Sequence, residues 1–158
     1  MCREYELEDF NNDIQAFIEA CYQAYIDFWN TSPTFRGMSL QRNKNIIEGK
    51  EQDFWGIVEG HKDDDIDLKR YKKVPLLKYV INEDNISCAE DVLYFRRLYK
   101  RKIRIEVFSL YHRFLVVLQE IGQHNKAQLI TAHPLSEKQL QKKLKQYKEY
   151  IEGGDEPI

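Results

Sequence analysis

Lys102-Ile103-Arg104-Ile105-Glu106-Val107-Phe108, followed by Arg113-Phe114-Leu115-Val116-Val117-Leu118-Gln119-Glu120, is the stretch whose reading decides the fold. In the first segment Ile103, Ile105 and Val107 alternate with Arg104, Glu106 and Phe108. That period of two marks a half-buried strand, because successive strand side chains point to opposite faces. The second segment is almost continuously apolar, which predicts a strand at the centre of a sheet. Gly122 to Asn125 supplies a turn, and Ala127 to Thr131 reads as a third strand. Three successive strands with short connections predict an antiparallel meander.

Downstream of the meander the spacing predicts a helix. Ser136 is an N-cap with Gln139 three residues on, a capping box, and Leu135 and Leu140 stand at the two positions of a hydrophobic staple. Leu140, Leu144, Tyr147 and Ile151 form its apolar stripe, and Gly153-Gly154 its stop. Upstream, Leu7, Phe10, Ile14, Phe17, Ile18, Cys21, Tyr25 and Phe28 recur at helical spacing, ending near Asn30 before Thr31-Ser32-Pro33. Residues 31–50 read as polar and irregular, with turns at Gly37 and Gly49. Phe54-Trp55-Gly56-Ile57-Val58 reads as a short strand and Glu59 to Asp67 as an acidic loop. A short helix is expected over 76–82 after Pro75, and another from Ala89 to Tyr99 through Val92, Leu93, Phe95 and Leu98. The sum is one α+β domain over residues 1–158, with N-terminal helices packed on an antiparallel sheet and a capped C-terminal helix closing it.

Composition narrows the class. The chain has 158 residues, 42% hydrophobic and 32% charged, an ordinary mix for one packed core. No apolar stretch approaches the roughly 18 residues of a membrane span. The opening MCREYELEDF lacks the apolar run of a secretory signal. Cys2, Cys21 and Cys88 are scattered and odd in number, which fits a reducing compartment and argues against zinc. A cytoplasmic location is therefore expected. The formal net charge of −2 gives no overall pull onto nucleic acid. Locally, bases gather at Lys69 to Lys78, Arg96 to Arg104 and Lys138 to Lys148. Each run taken alone is the ordinary property of a solvated face; together they offer a phosphate backbone several footholds.

One constellation comes from strand geometry. Thr131 and His133, two apart, share a face, and Pro134 holds His133 extended. Arg104 and Glu106 share a face opposite Ile103, Ile105 and Val107. The meander can then bring Arg104, Tyr111, Arg113, Thr131 and His133 to one polar surface. Cutting RNA without a metal or cofactor needs a base for the 2′-hydroxyl, an acid for the leaving oxygen and cations for the phosphorane. Histidine titrates near neutrality and arginine clamps phosphate with a planar fork, so these residue types suit the task. A Thr-x-His at a strand end is more often structural. His112 and His124 read as loop or edge residues. His61 is either a surface residue or a mobile base, and Asp63-Asp64-Asp65 a solvated loop rather than a cation site.

Several strings in order resemble the phage-associated nucleases grouped with barnase, EndoU, the tRNA-cutting colicins and RelE (the BECR fold). They are Phe54-Trp55, Arg70-Tyr71-Lys72-Lys73-Val74-Pro75, Arg104-Ile105-Glu106-Val107, Tyr111-His112-Arg113-Phe114-Leu115-Val116-Val117-Leu118 and Leu129-Ile130-Thr131-Ala132-His133-Pro134. The resemblance spans roughly residues 35 to 152. It implies helices on an antiparallel sheet with an active site on the open face. It also implies phosphate contacts from Arg70, Lys73 and Arg104, and a Thr131 that orients the scissile phosphate. His133 stands where the family usually has tyrosine, Leu76 replaces a tryptophan, and Gly56 replaces a histidine. A glycine transfers no proton. Either His61 or His133 has taken over, or the domain is inactive, or the residue was altered to make a toxic protein tolerable.

The expected activity is that of a metal-independent ribonuclease toxin or defence domain acting on bacterial RNA, with tRNA one candidate and a neutralising protein as partner. His133, His61, Thr131, Arg70 and Arg104 would be catalytic, and Lys73, Tyr111 and Arg113 would bind RNA. Two other classes stay open. One is a non-catalytic RNA- or protein-binding module on the same scaffold. The other is an inhibitor that uses Glu59 to Asp67 to grip a basic partner.

Overall fold

The computed structural model describes residues 3–59, 68–81, 91–122 and 125–153. Asp13 sets the start of the first helix. Its carboxylate accepts the Ala16 N–H at 3.1 Å, and α1 runs over Ile14–Asn30. The expected helix from Leu7 is broken there. Leu7–Phe10 form a separate 3-10 turn because Asn11 and Asn12 take positive φ values of 55° and 60°. α1 buries Phe17, Ile18, Cys21, Tyr25, Phe28 and Trp29; Trp29 joins the expected stripe, while Ile14, expected in it, is exposed.

Residues read as irregular contain strands. β1 (Thr34–Phe35) and β2 (Met38–Gln41) turn at Gly37, and β3 (Ile46–Ile47) and β4 (Lys50–Glu51) at Gly49, both glycines at φ near +80° where an L side chain is strained. Residues 54–58 are not a strand but part of helix α2 (Gln52–Val58), which buries Phe54, Ile57 and Val58 at spacings of three and one. α3 (Leu68–Lys73), a 3-10 turn (Val74–Leu76) and α4 (Leu77–Val80) follow, matching the short helix expected after Pro75.

The predicted Ala89–Tyr99 helix does not form over its described residues. Its described part is strand β5 (Val92–Tyr99), paired antiparallel along its whole length with β6 (Lys102–Ser109). β7 (Phe114–Ile121) and β8 (Lys126–Pro134) complete the expected meander. The six-stranded sheet runs β1-β2-β8-β7-β6-β5. It is mixed rather than purely antiparallel, because β2 joins the edge of β8 in parallel, its Leu40 seated in the core. α5 (Glu137–Gly153) starts at the foreseen capping box: Ser136 N–H donates to Gln139 Oε1 at 2.9 Å and Gln139 N–H to Ser136 Oγ at 3.2 Å.

Both faces of the sheet are used. Ile105, Val107, Phe114, Val116, Leu118, Ala127, Leu129 and Ala132 pack with α1, α2 and the helices after it. On the other face Phe95, Phe108, Leu115 and Val117 pack beneath α5, against Leu135 and Leu140 with Leu144, Tyr147 and Tyr150 beside them. Ile151, expected in the stripe, is 57% exposed; Tyr150 takes that role beside Tyr94. The face expected to be open is thus covered along its middle. Among the described residues no helix is long and apolar enough to cross a membrane.

Candidate functional site

β8 carries a bulge. Val117 pairs with Thr131 but Leu118 pairs with Leu129, leaving Ile130 as the extra residue. The bulge resets the alternation, so Leu129 can enter the helix-side core while Thr131 and His133 lie on the α5 face. Rows across the sheet place the other residues. Arg97, Arg104, Gln119 and Gln128 form one row, Phe95, Glu106, Val117 and Thr131 the next, and Phe108, Leu115 and His133 belong to a third. Arg104, Thr131 and His133 therefore share a face, as the strand spacing implied.

His133 is the best-defined group. Its Nδ1 lies 3.0 Å from the Pro134 carbonyl oxygen. A carbonyl only accepts, so Nδ1 carries the hydrogen and Nε2 the lone pair. The imidazole pKa is lowered from its ordinary 6.5, chiefly by burial; the Pro134 carbonyl and Glu106 oppose this, while Arg70 and Lys143 add to it. The ring is thus held neutral, with its basic nitrogen defined, in a field of two cations and one carboxylate.

The remaining candidates divide. Arg70 of α3 reaches the neighbourhood of His133, but its Nη1 donates to the carbonyls of Ile57 (2.9 Å) and Glu59 (3.2 Å), closing the end of α2. Lys73 is committed inside the fold: Nζ pairs with Glu4 at 3.0 Å and donates to the His112 carbonyl. Arg104 stacks 3.9 Å over the Tyr99 ring and its Nε donates to Gln119 at 3.2 Å. Tyr111 (81% exposed) and Arg113, which pairs with Glu137 at 2.7 Å, lie in the β6–β7 turn. That turn adjoins the His133 end of β8, where Leu135 N–H donates to the Arg113 carbonyl at 2.7 Å. His61, His124 and Asp63-Asp64-Asp65 lie outside the described residues.

Two groups were not read as site residues in the sequence, although Glu106 was placed on the Arg104 face. Lys143 and Glu106 both act on His133, and Glu106, 1% exposed, accepts from Lys143 and from Arg97. Lys143 sits in a lysine-rich run that reads as a solvated face, so only the register could single it out. Asp91 is the other. It accepts from Ser109 Oγ at 2.6 Å, from Tyr111 N–H at 2.7 Å and from the Tyr79 hydroxyl. Next to it the His112 ring stands edge-on to Tyr79 and Tyr111, with a pKa lowered by burial.

Gly56 faces away from the core, at a hollow of about 420 Å³ that Glu48, Gln52, Asp53, Trp55 and Glu59 also line. A Cβ added there would meet nothing within 4 Å. No family model matches the chain, and no curated protein or solved structure is significantly similar to it.

Proposed function

We propose that this chain is a metal-independent ribonuclease-like domain acting on RNA, with His133 as its proton-transfer residue. The observation that carries this reading is the His133 imidazole, its Nδ1–H held by the Pro134 carbonyl, kept neutral chiefly by burial and lying in the field of Arg70, Lys143 and Glu106. In the reaction Nε2 takes the proton of a 2′-hydroxyl as that oxygen attacks the neighbouring phosphorus. The bond to the 5′-oxygen breaks, a 2′,3′-cyclic phosphate forms, and the departing oxygen takes its proton from water. Arg70 and Lys143 favour the anionic phosphorane through their field, and Thr131 offers a hydroxyl on the same face. A toxin or defence role, tRNA as target, a cytoplasmic setting and a neutralising protein partner belong to the same proposal.

The second reading is an inactive RNA- or protein-binding module. What favours it is α2: residue 56 faces an acid-lined hollow, so that segment brings no proton-transfer group to His133. Incubation of bacterial RNA in EDTA with the protein and with His133→Ala separates the two. Fragments ending in cyclic phosphate, lost in the variant, support the enzyme. Intact RNA with both proteins overturns it and leaves the binding module.

A further inference from the structure

The end of the sheet away from His133 carries a second feature. β5 and β6 are joined by a two-residue turn, Tyr99 pairing with Lys102, and the turn residues Lys100 and Arg101 have φ values of 47° and 67°. Two left-handed residues in succession define the turn that hairpins normally fill with Asn-Gly or Gly-Gly, because a Cβ is strained there. Here long cationic side chains stand in both positions. Strain held at a turn tip points to a use for the side chains that impose it.

The surroundings supply that use. On the α5 face, the last two rows of the sheet hold Arg97, Tyr99, Lys102, Arg104, Gln119, Gln128, Ile121 and Lys126. Those positions contain four cations, of which Arg97 also pairs with Glu106 in the next row, one aromatic ring, two amides and no carboxylate, in a chain whose formal net charge is −2. The guanidiniums of Arg97 and Arg104 and the Lys100 ammonium gather around the Tyr99 ring at 5.3, 3.9 and 5.3 Å. Lys100, Arg101, Lys102 and Lys126 are exposed. Arg101, Lys102 and Lys126 have no ion-pair partner among the described residues.

We infer that the β5–β6 hairpin tip and this adjoining half-face bind the phosphate backbone of single-stranded nucleic acid. The cations release counterions from several phosphates at once, and the amides and the Tyr99 edge meet bases without selecting among them. The row of His133 lies six residues along β6 from Lys102, a distance of about 20 Å. That spans roughly six stacked nucleotides at about 3.4 Å each. On the ribonuclease reading the hairpin is thus an anchor remote from the cut. The binding inference itself does not depend on cleavage.

The test uses a fluorescein-labelled 2′-O-methyl RNA of about twelve nucleotides, which lacks the 2′-hydroxyl and is not cut, read by anisotropy over a salt series. Lys100→Asn/Arg101→Gly removes both charges and the strain together. The expected result is a Tm higher by roughly 2–5 °C, with affinity about tenfold weaker and the salt slope smaller by about two. Lys102→Gln/Lys126→Gln should weaken binding similarly. Lys138→Gln/Lys145→Gln, the same charge change on exposed α5, should not. Equal losses in all three variants, or an unchanged slope in the first, overturn the inference. Tighter binding of a polyglutamate of matched charge overturns it in favour of an acidic protein partner. Loss of cleavage in His133→Ala with binding intact leaves it standing.

Discussion

Lys143 of α5 and Glu106 of β6 form an ion pair across the helix–sheet interface, with the Glu106 side chain only 1% exposed. Arg97 of β5 binds the other oxygen. A carboxylate so fully removed from water is tolerable only while its partners stay in place. Lys143→Met leaves Glu106 with Arg97 as its partner among the described residues and should cost about 2 kcal/mol in urea unfolding. Adding Glu106→Gln should recover part of that loss, with a coupling of at least about 1 kcal/mol in the double-mutant cycle. Strict additivity would mean that the pair contributes nothing beyond its separate halves.

Asp91 governs the turn that displays Tyr111. Burial alone would raise its pKa; donation from Ser109, Tyr79 and the Tyr111 N–H outweighs burial and lowers it. A carboxyl group whose pKa is lower in the folded state stabilises the fold above its unfolded pKa, near 3.9. That contribution disappears as the pH falls through the folded pKa. Asp91→Ala should therefore cost about 2–3 kcal/mol at pH 7. Below about pH 4 its stability should fall less steeply than that of the unaltered protein. Parallel stability–pH curves for the two proteins would refute this assignment.

How much of this was legible in the sequence depended on whether one period prevailed locally. β6 alternates cleanly because its Ile105 and Val107 face the helix layer, and α5 declares its own start through Ser136, Gln139 and Leu135. β5 misled because both its faces are partly covered: Tyr94 packs with the helix-side core and Phe95 with the other, so apolar residues at 92, 93, 95 and 98 imitate a helix. In residues 54–58 the aromatic and β-branched composition outweighed a helical spacing that was present, since Phe54, Ile57 and Val58 are the buried ones. Thr131 and His133 were placed on one face from their separation alone. The setting of His133 in the field of Arg70 and Lys143 depends on the bulge at Ile130 and on long-range packing, which no local pattern encodes.

The capping box gives a simple stability test. Ser136→Ala removes the oxygen that accepts the Gln139 N–H and should lower stability by about 1 kcal/mol. Ser136→Asp should retain most of it, because a carboxylate accepts the same bond and suits a helix N-terminus. An alanine variant as stable as the original protein would show that the staple of Leu135 and Leu140 holds the helix start unaided.

The His133 reading makes its sharpest claim through pH. A base acts in its neutral form, so cleavage should rise with pH and level off, with a midpoint below the ordinary imidazole value of 6.5. The same titration acts on the fold. A histidine whose folded pKa is depressed takes up its proton more readily when unfolded, so its neutral state costs no stability above pH 6.5. As the pH falls below 6.5 toward the folded pKa, stability declines. His112 contributes in the same direction, so the His133 share is the difference between the protein and His133→Ala. Burial is the main cause of the shift and Lys143 a lesser one. Lys143→Met should therefore move the cleavage midpoint upward, yet leave it below 6.5. A midpoint above 6.5 in the unaltered protein would assign the proton transfer to a different group.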